Sequence, residues 1–336
     1  MRELEGARAL LEADEAVDDP LRMARSPVQD PDAKSVIARS GLGVSPDAMA
    51  SGSLLGSQHS QPGLGGRMAA IEGRDISGGT GAITGGLAFD SAGEGSPHLL
   101  FLHGWCGDRS FFAPQFDHFS AAHRVVSVDL PGHGKSRAPT ANTIEALAAD
   151  VAALGRDLGL GRGVMVGHSL GAMVGLALAQ HAPDLVSAVI MVDPPPLSQE
   201  VWRGFAGELL PGFQGPDSAT ARRKFVEQMF LPTDDAQRRA QIVKSMCAVP
   251  GDIAIAMVRA MAAFDAVAIL RSCEVPILTI ASAVPTNGSA FLLEANAKII
   301  TGQTVGAGHF LQLEVPEQVN PMIERFLSVN PETSSR

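Results

Sequence analysis

From residue 82 onward the chain alternates short apolar runs with longer stretches in which apolar residues recur at helical spacing. The runs at 82–90, 98–103, 124–128, 163–168, 186–192, 276–281 and 298–305 read as strands. The stretches at 109–120, 143–158, 170–182, 290–297 and 316–328 read as helices. Strand alternating with helix predicts an α/β fold, with a mostly parallel sheet and helices on both faces. One interval breaks the rhythm. More than eighty residues separate the strands at 186–192 and 276–281, far beyond an ordinary connection. Met257, Met261 and Phe264 keep helical spacing there, so residues 194–265 are expected to form an inserted helical cap.

The first 66 residues do not share this pattern. The first twenty carry seven acidic side chains against two arginines, and residues 40–66 are rich in Gly, Ser and Gln with few large apolar side chains. Such a segment offers too little apolar surface to offset the entropy of ordering it, so 1–66 is expected to be a disordered extension. The folded unit is expected over 67–336, its core at 67–193 and 266–330 flanking the cap.

Charge and composition narrow the function. A formal net charge of −10 over 336 residues argues against a phosphate-binding surface and against nucleic acid as a partner. No apolar run is long enough to cross a bilayer, and the acidic N-terminus lacks the order of a secretory signal. The expectation is a cytoplasmic protein without a membrane partner, a monomer or homodimer. Cys106, Cys247 and Cys273 are odd in number and lack metal or redox spacing, so they read as buried free thiols. The nine histidines include no H-x-x-x-H or H-E-x-x-H pair, and neither a metal nor another cofactor is expected.

The chemistry is concentrated at Gly167-His168-Ser169-Leu170-Gly171, which follows the apolar run Gly163-Val164-Met165-Val166 and precedes a small-residue helical pattern. A serine between strand and helix on so tight a turn has strained backbone angles, and glycines two residues to either side avoid collision. Its hydroxyl then stands at a helix N-terminus, where free N–H groups favour negative charge. Three further segments accompany it. Leu99-Leu100-Phe101-Leu102-His103-Gly104-Trp105 and Val125-Val126-Ser127-Val128-Asp129-Leu130-Pro131-Gly132-His133-Gly134-Lys135-Ser136 run from strands into turns, and Gly306-Ala307-Gly308-His309-Phe310 places a histidine in a glycine-rich loop. Together these segments resemble the α/β-hydrolase superfamily over roughly residues 67–330, in the order nucleophile, acid, histidine.

The resemblance implies a serine hydrolase with Ser169 as nucleophile and His309 as general base. The acid departs from the commonest pattern, because the loop after the penultimate strand, residues 280–289, holds Asn287 and no carboxylate. One strand earlier, Val189-Ile190-Met191-Val192-Asp193 ends in an aspartate, as in a subset of lactone and amide hydrolases; Asp193 is the candidate acid. Its competing role is a helix cap for the insertion. The backbone N–H groups of Trp105 and Leu170 are the candidate oxyanion hole. His103 and His168 are expected to brace turns, and Asp129 and His133 to belong to a structural signature.

Trp202, Phe205, Phe213, Met229, Phe230 and Met246 are candidates to line an apolar substrate pocket, with plain cap core as the competing reading. The expected partner is a small-to-medium apolar ester or lactone. Epoxide hydrolases and dehalogenases of this fold carry aspartate where Ser169 stands, which disfavours both. His103-Gly104-Trp105-Cys106-Gly107-Asp108, with an acid after the earlier strand, also resembles cofactor-free ring-cleaving dioxygenases that use a His/Asp pair. A non-catalytic ligand-binding module is the third alternative.

Overall fold

The structure, a computed structural model, describes residues 81–330 and Thr333. The expectations for residues 1–66, and the domain start at 67, lie outside the described residues.

Eight strands form one sheet: β1 (Ala82–Thr84), β2 (Leu87–Ala92), β3 (Leu99–Leu102), β4 (Val125–Val128), β5 (Gly163–His168), β6 (Val186–Val192), β7 (Ile277–Ala281) and β8 (Ile300–Gln303). Their spatial order is β1-β2-β4-β3-β5-β6-β7-β8. Pairing is parallel from β4 through β8 and antiparallel for β1–β2 and β2–β4. The run at 82–90, expected as one strand, is a hairpin. Gly85 and Gly86, with φ of 58° and 84°, supply the two left-handed residues that a two-residue turn between Thr84 and Leu87 requires.

Successive residues of the central strands feed two cores. Leu99, Phe101, Val164, Val166, Ala188 and Ile190 point to one face, and Leu100, Leu102, Met165, Val189 and Met191 to the other. Burial on both sides accounts for the nearly unbroken apolar runs of these strands. The first face is covered by α1 (Ala113–Phe119) and α11 (Pro316–Val329), through Phe116, Phe119, Val319, Ile323 and Phe326. The second is covered by α2 (Ile144–Asp157), α3 (Leu170–His181) and α8 (Ala266–Ser272). Thr143 caps α2 by accepting the Ala146 N–H, and Asp265 caps α8 in the same way through Ala268.

Between β6 and β7 the chain builds α4 (Gln199–Gln214), α5 (Ser218–Glu227), α6 (Ala236–Ala248) and α7 (Gly251–Ala263). Their shared core includes Trp202, Phe213, Ile242, Met246 and Met257. Two further helices, α9 (Ser289–Ala295) and the short α10 (Leu311–Glu314), complete the element order. Among the described residues no single helix is long and apolar enough to cross a membrane.

Candidate active site

Because β3, β5, β6 and β7 are parallel, their C-terminal ends share one rim, where active-site residues of open parallel sheets gather. Ser169 follows β5 on that rim. Its backbone has φ 51° and ψ −118°, in a region that side-chain-bearing residues seldom occupy. Neighbouring glycines make the turn feasible. A Cβ on Gly167 would lie 2.2 Å from the Gly171 carbonyl oxygen, and one on Gly171 would lie 2.0 Å from that of Leu102. Leu170 is the first residue of α3, so its N–H has no partner within the helix and stands beside the serine.

Asp193 leaves β6 with the same unusual sign of φ, 40°. Its N–H donates to the Ile280 carbonyl at 2.7 Å, fixing it against β7. One carboxylate oxygen, Oδ1, accepts the Ser282 N–H at 2.9 Å, and the other, Oδ2, lies 2.7 Å from His309 Nδ1. This leaves Nε2 of the ring as the atom that can take or give a proton. The helix-cap role for Asp193 is not observed, since α4 is capped by Ser198. Asn287 instead braces the segment after Asp193. Its amide donates to the Pro194 and Pro195 carbonyls at 3.1 and 2.9 Å, and its oxygen accepts the Leu197 N–H at 3.0 Å.

His309 and Ser169 line one small cavity with Gly104, Trp105, Phe111, His168, Met229, Met246 and Phe310. The cavity measures about 10 Å³, close to the roughly 10–15 Å³ that one water needs. Gly104 lets the β3 turn approach closely, because a Cβ there would fall 2.8 Å from His168 Nδ1 and 3.1 Å from Ser169 Cβ. Trp105 is anchored by its indole N–H, which donates to the Ala254 carbonyl of α7 at 2.8 Å.

The remaining histidines near the rim are braces. His168 Nε2 donates to the His309 carbonyl at 2.8 Å, and burial, reinforced by the neighbouring His309, holds its pKa well below the ordinary value. His103 Nδ1 donates to the Gly104 carbonyl while Nε2 accepts the Leu130 N–H at 2.9 Å; burial lowers its pKa to about 4. Burial likewise lowers His133, to about 3. Asp129 accepts the N–H groups of Arg109 and Lys135, both at 2.8 Å, and pairs with the Arg109 guanidinium, closing its turn. Cys106 is buried, which raises its thiol pKa well above the ordinary value, so it remains protonated.

The six proposed lining residues divide. Met229 and Met246 reach the cavity. Trp202, Phe205, Phe213 and Phe230 do not line it; their rings are taken up by packing on neighbouring aromatic residues, within the apolar core that also covers one face of the sheet. Trp202 stacks on Phe205 at 4.9 Å, while Phe205 and Phe213 meet Phe225 at 5.7 and 5.8 Å. Phe213 backs Trp105 at 5.8 Å, and Phe230 packs on Phe310 at 4.9 Å. Asp234, on the insertion, was not singled out by sequence reasoning, yet its carboxylate accepts the N–H of Gly308, next to the histidine, at 3.0 Å. An aspartate in Pro232-Thr233-Asp234-Asp235 carries no signal that distinguishes it from a turn residue.

Residues 97–225 match the family model described as the alpha/beta hydrolase fold. The chain has the α/β-hydrolase fold. Solved structures share this fold. An esterase from Thermogutta terrifontis superimposes with a TM-score of 0.65 at 23% identity, covering 74% of this chain and 94% of its own. The enol-lactonase from Burkholderia xenovorans LB400 gives 0.61 at 24% identity, covering 72% and 96%. Among curated proteins, a pimeloyl-[acyl-carrier protein] methyl ester esterase from Salmonella heidelberg is 32% identical over 159 residues, which is 46% of this chain. The chain spans 60% of the length of that relative.

Proposed function

We propose that the protein is a serine hydrolase that cleaves a carboxylic ester or lactone of a small-to-medium apolar substrate through an acyl-enzyme. The observation that carries this reading is the 2.7 Å contact between Asp193 and His309 Nδ1, with Ser169 on the same cavity wall. Ser169 Oγ attacks the carbonyl carbon while His309 Nε2 takes its proton, and Asp193 stabilises the imidazolium that forms. The oxyanion is received by the N–H groups of Leu170 and Trp105. As the tetrahedral intermediate collapses, the carbon–oxygen bond breaks and His309 returns the proton to the leaving alkoxide. In a lactone that alkoxide stays tethered to the acyl group. Water, deprotonated by the same histidine, then releases the acid and restores Ser169.

Esterases and a lactonase among the similar proteins support this class of reaction. The cavity beside Ser169 measures about 10 Å³, and the flexible Met229 and Met246 are suited to a wall that reshapes around an ester. The test is turnover of a panel of p-nitrophenyl esters and simple lactones, run beside an oxygen electrode. Ser169→Ala is expected to lower kcat by on the order of 10⁴- to 10⁶-fold with the fold intact. Oxygen consumption with retained activity in that variant would overturn the acyl-enzyme in favour of a His/Asp dioxygenase.

A further inference from the structure

The base loop is held from the insertion as well as from the sheet. The segment from Met229 to Asp235, which joins α5 to α6, touches it at Met229, Thr233 and Asp234. The Met229 carbonyl accepts the His309 N–H at 2.9 Å, and Thr233 Oγ1 donates to the Gly306 carbonyl at 2.9 Å. Asp234, only 9% exposed, accepts Gly308 N–H on Oδ1 at 3.0 Å and Leu231 N–H on Oδ2 at 2.7 Å. Further along, Glu314 of α10 accepts from the Asp235 N–H and from Arg238, at 3.1 and 2.8 Å. The approach at Gly308 is close enough that a Cβ there would lie 2.6 Å from Asp234 Oδ2 and 2.7 Å from the Met229 carbonyl oxygen.

We infer that Asp234 is a positioning residue for the general base, holding the His309 backbone at the cavity that it lines with Ser169; this rests on the serine-hydrolase reading above. The His309 ring is oriented by Asp193, its carbonyl is held by His168 and its N–H by the Met229 carbonyl, but none of these bonds reaches the Ala307–Gly308 peptide just before it. Asp234 supplies that contact. A carboxylate suits the place because both its oxygens accept, and here each takes one N–H from a different strand of chain. An asparagine can serve one of the two donors and turns its own NH₂ toward the other, while an alanine leaves both unpaired. A misplacement of about 1 Å at a reacting group costs on the order of 100-fold in rate, so the effect is expected in kcat.

The experiment compares Asp234→Ala and Asp234→Asn with wild type in the full chain. Competent sites are counted with a fluorophosphonate, and kcat per titrated site and KM are read on p-nitrophenyl butyrate. Asp234→Ala is expected to lower kcat by on the order of 100-fold and Asp234→Asn by about 10-fold, with KM within about two-fold and labelling slowed in parallel. Wild-type kcat per titrated site, whatever happens to the melting temperature, would make Asp234 a plain loop brace and overturn the inference. A rise in KM alone would overturn it too. Where the alanine variant does not fold, the asparagine variant decides. Ser169→Ala is run alongside. If it is inactive while both Asp234 variants are normal, only this inference fails; if it stays active, the acyl-enzyme reading fails and this inference with it.

Discussion

The sheet rim and the helical insertion make the candidate site by different means. On the rim, position is imposed by backbone. Ser169 and Asp193 both have positive φ at the ends of adjacent parallel strands, and glycines at 104, 167 and 171 stand where a single Cβ would collide. In the insertion, position is imposed by side-chain packing, with Trp202, Phe205, Phe213 and Phe225 forming rings against rings. Rim residues therefore tolerate little change without loss of chemistry. Insertion residues are expected to carry stability and access, apart from Met229, Thr233 and Asp234, which touch the base loop.

The contrast breaks most visibly at the acid. Asp193→Asn preserves shape but favours the wrong imidazole tautomer, and a fall in kcat on the order of 10⁴ is expected. Asn287→Ala removes the brace of the neighbouring prolines without touching His309, so a loss below about 10-fold is expected. Steady-state kinetics of both variants check this. A near-normal Asp193→Asn enzyme would mean that rim geometry does not govern the rate.

In the insertion, Trp202 is 3% exposed, and Trp202→Ala is expected to cost about 3–5 kcal/mol of stability while leaving kcat per folded molecule within a few-fold. Urea unfolding together with titrated kcat would show it. An unchanged midpoint with collapsed kcat would move Trp202 from packing to chemistry.

The difference in means also explains what could be read from sequence. Strand, sharp turn and helix around Ser169 are visible because glycine spacing and apolar runs are local properties of the chain. The pairing of His309 with Asp193 rather than Asn287 is legible for a chemical reason: a carboxylate is present at one loop and absent from the other. The hairpin at Gly85-Gly86 was readable in principle, as two glycines inside a strand pattern, but the apolar run continued across it. The pocket wall was not legible. Helical spacing marks an apolar side chain as buried without saying whether a helix neighbour or a substrate covers it, so Met229 and Trp202 look alike in sequence.

A smaller effect per pH unit is expected from the buried histidines of the rim. His103 and His133 have pKa values lowered by burial to about 4 and about 3, against roughly 6.5 in an unfolded chain. Below pH 6.5 the unfolded state binds protons that the native state refuses, so stability is full above that value. It falls as pH drops from about 6.5 toward 4, because protons bound by the unfolded chain must be released on folding. Melting temperature measured between pH 7.5 and 4.5 checks this, and a flat profile would contradict it.

The central claim is that Ser169 is a nucleophile activated by the His309–Asp193 pair. Its most direct test is mass spectrometry of the whole chain after reaction with a fluorophosphonate, followed by peptide mapping. The account predicts one adduct per chain on Ser169, formed far more slowly in Asp193→Asn. An adduct mapped to another residue, or labelling of Ser169 at the same rate in that variant, would contradict it.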